Sequence, residues 1–288
     1  MDTNGKLLKF RTILIQGTCN LKCDYCGGTS IKIDQVETIG KLSKVFNRFN
    51  KDEYAIRVEC FGEITLYPEI INYLEEKADH GYRIEILSNG IRALEVLKED
   101  TKLHCIFSLD GQTREMNIAR NLTQEQVDKI LKAIFKFNAE INCVYYKQSI
   151  EDINKYILYL KDNNYNGLLN IFPCRFGKEH QVSYLKYEDL IRTDFLPPKE
   201  YFDNWKHLIL NGAKDRNCDL INNGYLYSIN TKDVTSSDIT MLKCNGSPTY
   251  WKYIHEYGEE LENKPFKCGT CINYYFYNNS RKFMNCNY

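Results

Sequence analysis

The sequence has no charge excess of either sign: Lys plus Arg and Asp plus Glu both number 38 in 288 residues. An extended nucleic-acid surface needs a basic surplus, so this balance argues against a nucleic-acid partner. No run of about 18 apolar residues occurs, so no membrane-spanning helix is expected. The first residues, MDTNGKLLKFRTILIQ, lack the apolar stretch and small-residue cleavage site of a signal peptide. A cytoplasmic location without a membrane partner is the expectation. His80, His104, His180, His207 and His255 offer no metal-spaced pair. Internal repeats and low-complexity segments are also missing.

Cysteine is what the chain has in quantity, with 12 residues. A disulfide framework fits poorly, because such frameworks belong to small secreted domains. The cysteines fall into three sets. Cys19, Cys23 and Cys26 form C-x3-C-x2-C in the segment CNLKCDYC. Cys60, Cys105, Cys143 and Cys174 lie singly in apolar runs and read as small core hydrophobes. Cys218, Cys244, Cys268, Cys271 and Cys286 crowd the last quarter.

Three thiolates on one short loop can hold three irons of a 4Fe–4S cluster and leave the fourth iron without a protein ligand. Most electron-transfer clusters have four Cys, so an open iron suggests a cluster that binds a reactant. A zinc knuckle short of one ligand and three ordinary thiols are the other readings of this spacing.

The first two-thirds alternate strand and helix patterns. Strands are expected over TILIQ (12–16), YAIRVEC (54–60), YRIEILSNG (82–90), LHCIFSLDG (103–111), INCVYYK (141–147) and LLNIFPCRFG (168–177). Helical spacing of Ile39, Leu42, Val45, Phe46 and Phe49 follows the first strand. Pro68 opens a second helix, and a third runs through Leu94 and Leu97. Thr123-x-x-Gln126 is a capping-box match ahead of VDKILKAIFKF, and EDINKYILYLKD (151–162) is a further helix. About six βα units imply an α/β fold with a parallel sheet, a partial (β/α)6 TIM-like barrel. Pro197-Pro198 marks a boundary. The expected domains are a barrel over 1–205 and a small cysteine-rich domain over 206–288. In barrels of this kind the chemistry sits at the C-terminal strand ends, where the cysteine loop falls.

The motifs at those ends agree. Strand two ends in Phe61-Gly62-Glu63, followed by Tyr67-Pro68-Glu69. Strand three ends in Ser88-Asn89-Gly90. Strand four ends in Ser108-Leu109-Asp110-Gly111, with Arg120 beyond it. In this order, behind the cysteine loop, they resemble the radical S-adenosylmethionine (radical SAM) superfamily, over essentially the whole chain. Phe61 replaces the first Gly of the family's Gly-Gly-Glu, and Ser88-Asn89-Gly90 is similar to its Thr-Asn-Gly. The Ser108-Leu109-Asp110-Gly111 turn with Arg120 looks like the branch that carries SPASM or twitch C-terminal domains.

The resemblance implies S-adenosylmethionine on the open iron of a 4Fe–4S cluster held by Cys19, Cys23 and Cys26. Electron transfer from such a cluster cleaves the sulfonium and yields a 5′-deoxyadenosyl radical that abstracts substrate hydrogen. It implies Glu63 and the Gly62 backbone at the methionine ammonium and Arg120 at the methionine carboxylate. Ser108 and Asp110 become candidates for polar contacts to the carboxylate or ribose. Ser88 and Asn89 join the cofactor-binding set, and Tyr25 is expected beside the adenine or the cluster. An Asp before Gly can equally be a plain turn former, and an Arg a surface charge.

Cys218, Cys244, Cys268 and Cys271 can fully ligate a zinc or a second 4Fe–4S cluster. Behind this barrel they resemble a twitch domain with one auxiliary cluster; a ligand set that includes Cys286 is the alternative. Cys174 follows Pro173 at the last strand end, where it could donate hydrogen to a substrate radical. Lys147, Arg175 and His180 are substrate-contact candidates.

Two enzyme readings stand nearly level. One is oxidation, cross-linking or epimerisation of a ribosomal peptide. A first strand at about residue 10 leaves it no room for the leader-binding domain of many such maturases. The other is oxidation of a small alcohol such as an aminocyclitol or sugar. Both call for a low-potential electron donor such as flavodoxin or ferredoxin. A zinc-stabilised binding protein is the non-enzyme reading.

Overall fold

A computed structural model describes residues 9–26, 31–174, 185–203, 225–229 and 239–242. Cys218, Cys244, Cys268, Cys271 and Cys286, together with Arg175 and His180, lie outside the described residues.

The first six strands are β1 (Lys9–Ile15), β2 (Tyr54–Cys60), β3 (Arg83–Ser88), β4 (His104–Ser108), β5 (Glu140–Tyr145) and β6 (Leu169–Pro173). Each pairs in parallel with the next, as the alternating pattern predicts. The connecting helices are α1 (Gln35–Phe46), α2 (Pro68–Asp79), α3 (Ala93–Val96), α4 (Gln124–Phe137) and α5 (Ile150–Asp162).

Their starts are written locally. The Asp34 carboxylate accepts from Glu37 N–H at 3.0 Å and caps α1. Pro68 occupies the first turn of α2, where its missing N–H costs nothing. Thr123 and Gln126 form the expected capping box on α4. A second box, Ser149 with Asp152, starts α5 one residue earlier than its apolar pattern suggests. The third helix is a correction, because α3 is a single turn that stops before Leu97. Leu97 turns extended and buries its side chain, and Lys98 N–H donates to the buried Glu75 carboxylate at 3.2 Å. That anchor to α2 ends the helix.

The sheet also continues on the far side of β1. β7 (Tyr225–Ile229) pairs with β1 in parallel and β8 (Ile239–Leu242) pairs with β7 antiparallel, giving the order β6-β5-β4-β3-β2-β1-β7-β8. Part of the last quarter therefore extends the barrel sheet, a join that fading periodicity did not reveal.

Strand alternation separates two faces. Ile13, Ile15, Val58, Ile86, Phe107 and Ile141 pack with the buried sides of the helices in one core. The opposite, inner face carries a polar row. Thr12, Arg57, Glu85 and His104 stand in register across β1 to β4.

Candidate radical SAM site

The cysteine loop leaves β1 at Gly17 and is tied down on two sides. Glu63 N–H donates to the Thr18 carbonyl at 2.7 Å, and the Tyr67 hydroxyl accepts from Thr18 N–H at 2.6 Å. Gly62 is required there, since a Cβ on it would lie 2.2 Å from the Thr18 carbonyl oxygen. From the β3 end, the Asn89 side-chain amide donates to Asn20 at 2.7 Å. On the other flank, Asp24 N–H donates to the Ala119 carbonyl at 2.7 Å and Asn121 donates to the Lys22 carbonyl at 2.5 Å. The loop is thus strapped to the ends of β2, β3 and β4 together.

Glu63 is the hub of the first strap. It is 2% exposed. Its Oε1 accepts from Thr65 N–H at 2.9 Å, the Thr65 hydroxyl at 2.7 Å and the Ser88 hydroxyl at 2.6 Å. Its Oε2 accepts from Asn89 N–H at 2.6 Å. A carboxylate offers about four lone-pair sites, two on each oxygen, so Oε2 keeps acceptor capacity. Gly90, at φ +77°, makes the turn that brings Asn89 N–H inward.

The second strap centres on Asp110, which has no exposed surface. Its Oδ1 accepts from Val144 N–H at 2.8 Å, and its Oδ2 accepts from the Tyr25 hydroxyl at 2.6 Å. Arg120 Nε lies 2.9 Å from the same oxygen, as an ion pair without an aligned N–H bond. The Arg120 guanidinium sits 5.4 Å from the Tyr25 ring centre, and Tyr25 meets Tyr146 edge-on at 6.0 Å. Burial works against the Arg120 charge, but Asp110 outweighs it and holds the pKa above its ordinary value. Burial pushes the Tyr25 phenol well up. Asp110 is therefore a buried ion-pair partner beyond its turn, and Arg120 is buried too.

Residues without a motif build this corner. The buried Asn117 accepts from Asp110 N–H at 2.9 Å and donates to the Gly111 and Thr113 carbonyls, both at 2.8 Å. Gln148 donates to the Met116 carbonyl at 2.9 Å. Asn117 lies in the short 3-10 helix Glu115–Arg120 and Gln148 in the loop before α5, and neither amide carries a periodic signal, so sequence reasoning missed them, along with Thr18 and Asn20.

The remaining candidates sort themselves by position. Ser108 lies on the inner face beside Asn142. Cys174 is buried directly after β6. Lys147 reaches Asp24 at 3.5 Å on the cysteine loop. Cys105 and Cys143 are core residues, as expected. Cys60 is half-buried and accepts from Gly62 N–H at 3.3 Å, and burial pushes its thiol up to about 12.

The donor set fits an iron–sulfur cluster. Cys19 and Cys26 are exposed and Cys23 is half-buried on one loop, and Leu21 N–H already points at Cys19 sulfur at 3.4 Å. Among the described residues no three His, Cys, Asp or Glu groups share one single-ion position. A cluster binds each thiolate at a different iron and needs no such point. Burial raises Cys19 and pushes Cys23 up to about 11, so cluster binding must release protons.

A parallel α/β sheet with a three-cysteine loop strapped across its C-terminal strand ends is the architecture of a radical SAM enzyme, and this chain belongs to that superfamily. Its members bind S-adenosylmethionine on a 4Fe–4S cluster. The chain is 40% identical to neomycin C epimerase of Streptomyces fradiae over 276 residues, which is 96% of this chain and 91% of that protein. No family model matches. Among solved structures, Streptococcus suis SuiB shares the fold at a TM-score of 0.53 and 15% identity, over 89% of this chain and 67% of that one. SuiB bound to S-adenosylmethionine aligns over 60% of this chain and 40% of that chain, at a TM-score of 0.47 and 19% identity.

Proposed function

We propose that this radical SAM enzyme epimerises a carbon centre of a small amino-sugar molecule. The observation that carries the reading is the 40% identity to neomycin C epimerase across nearly the whole chain. It favours the small-molecule reading over the peptide one, and inversion over oxidation. The Ser108-Leu109-Asp110-Gly111 turn with Arg120 keeps peptide modification as the second reading.

When bound, the cluster and S-adenosylmethionine supply a 5′-deoxyadenosyl radical able to break an unactivated C–H bond. Cys19, Cys23 and Cys26 hold the cluster. Glu63 Oε2 and the Gly62 backbone take the methionine ammonium, with Ser88 and Asn89 fixing the carboxylate for it. Arg120 takes the methionine carboxylate and Asp110 aims the guanidinium. Ser108 contacts the carboxylate or ribose, and Tyr25 flanks the adenine or the cluster.

Inversion needs hydrogen removed from one face and returned to the other. Cys174 is the candidate donor, because its thiol follows the last barrel strand. The S–H bond breaks as the new C–H bond forms. The sulfur radical then takes one electron and one proton to restore the thiol. Cys218, Cys244, Cys268 and Cys271 would hold an auxiliary 4Fe–4S cluster, which would supply one-electron transfer, and a flavodoxin- or ferredoxin-type protein would be the source of electrons.

The test is anaerobic turnover of neomycin C in D2O with reductant and S-adenosylmethionine. The expected products are 5′-deoxyadenosine and a stereoisomer of neomycin C carrying one deuterium at the inverted carbon. Cys174→Ala should still form 5′-deoxyadenosine but no deuterated isomer. Conversion of a peptide instead, with neomycin C untouched, would overturn the small-molecule reading.

A further inference from the structure

The inner face of β1 carries buried polar atoms that the fold leaves unused. Ile13 and Ile15 pack into the helical core, so Thr12, Leu14 and Gln16 face the other way. A Cβ on Gly17 would meet Cys60 and Tyr67, which keeps the alternation through residue 16. Gln16 is 7% exposed and its Oε1 has no hydrogen-bond donor among the described residues, and Thr12 Oγ1 deeper on the same face is likewise without a partner among them. A buried carbonyl oxygen left without a donor is costly, so its persistence calls for a ligand.

The neighbouring strand supplies the charge. Glu59 stands opposite Leu14 in the β1–β2 register. Phe61 N–H donates to the Ile15 carbonyl at 2.9 Å, so β2 still runs beside β1 where Gln16 emerges. The Glu59 side chain is 18% exposed, and its ion pair to Arg57 is loose, at 3.7 Å. Arg57 is engaged more closely by Glu85. One guanidinium therefore faces two carboxylates. The adjacent His104 and Glu140 meet at 2.9 Å and add one base and one carboxyl group to this row, so the excess of one carboxyl group remains. This stretch of the inner face has one carboxyl group more than it has basic groups, and one acceptor too many; burial raises the Glu59 pKa, and a cation beside it would restore the charged form. Both deficits are met by a cation with several N–H donors.

We propose that Gln16 and Glu59 form a subsite that binds a protonated amino group of the substrate. The proposal rests on the small-molecule reading above and narrows it to substrates bearing an ammonium near the reacting carbon. Glu59 supplies the opposite charge and Gln16 Oε1 a directional acceptor. Gln16 directly precedes the cysteine loop at the end of β1 and Glu59 lies on the neighbouring β2, so an amine held there sits beside the strand ends. A neutral hydroxyl would satisfy Gln16 but leave the surplus carboxylate unanswered.

The experiment is calorimetric binding of neomycin C and of its fully N-acetylated derivative to cluster-loaded enzyme with S-adenosylmethionine. Wild type should prefer the free amine. Glu59→Gln should weaken neomycin C binding by about tenfold or more, the scale of a charged hydrogen bond, and leave the acetylated form unchanged. Gln16→Leu keeps the side-chain size and should weaken the amine in the same direction, with iron content and S-adenosylmethionine affinity as in wild type. Equal binding of both ligands, or wild-type affinity in both variants, overturns the subsite. Lost S-adenosylmethionine affinity in Gln16→Leu assigns that residue to the cofactor and overturns it too. Glu59-dependent binding without any epimer sinks the epimerase reading and leaves the subsite standing. Epimer formation with unchanged affinity in Glu59→Gln does the reverse.

Discussion

Single residues decide how firmly the cysteine loop is held. Gly62→Ala would push a methyl group against the Thr18 carbonyl, and backbone cannot move aside as a side chain can. The expected result is a loss of about 2 kcal/mol or more in urea denaturation, with less iron retained per chain. Asp110→Asn leaves the Arg120 guanidinium buried opposite a neutral amide. Breaking a buried pair on one side costs about 3–5 kcal/mol, so this variant should be the least stable of the set and should bind S-adenosylmethionine poorly. A wild-type denaturation midpoint for Asp110→Asn would contradict the ion pair. At this scale the sequence was legible where chemistry restricts the residue type. Gly62, Glu63, Asp110 and Arg120 stood out because turns and ion pairs admit few alternatives. Asn117 and Gln148 did not, because an amide that bonds backbone carbonyls leaves no pattern in a single sequence.

Elements were legible in proportion to the strength of their local signals. β2 matches its expected extent and α2 its expected start, since alternation, Pro68 and burial all agree there. α3 did not, because the anchoring of Lys98 by Glu75 is a tertiary contact that overrides an apolar period. The joint between β4 and β5 carries its own test. His104 is half-buried and within 2.9 Å of Glu140. Burial alone would lower its pKa, but the Glu140 hydrogen bond and the nearby Glu85 charge raise it above 6.5. A histidine whose folded pKa is raised stabilises the fold fully below its unfolded pKa and loses that contribution as pH rises through the folded value. His104→Gln should therefore cost about 1 kcal/mol or more at pH 6, and the gap to wild type should shrink as pH climbs past 7. A pH-independent gap would mean that the hydrogen bond carries no charge.

For the whole molecule, the parallel order of β1 to β6 followed from βα alternation alone. Among the described residues no helix is long and apolar enough to cross a membrane. The attachment of β7 to β1 was not legible, because pairing between distant segments has no local signature. Metal content tests the two-cluster expectation. Anaerobic reconstitution should load about 8 iron per chain if the auxiliary cluster is present, and about 4 if the loop holds the only one. Cys268→Ala should lower the count while leaving S-adenosylmethionine cleavage intact.

β7 has a consequence for how the chain is made. Arg11 pairs with Tyr225, about 200 residues later, so one edge of β1 waits unpaired while most of the protein emerges from the ribosome. An open strand edge is a template for other chains. The strand bearing the cluster loop is thus open to misassembly during synthesis and is closed on both sides late. Cellular yield of this enzyme should therefore depend on translation speed and chaperone supply as well as on iron–sulfur delivery.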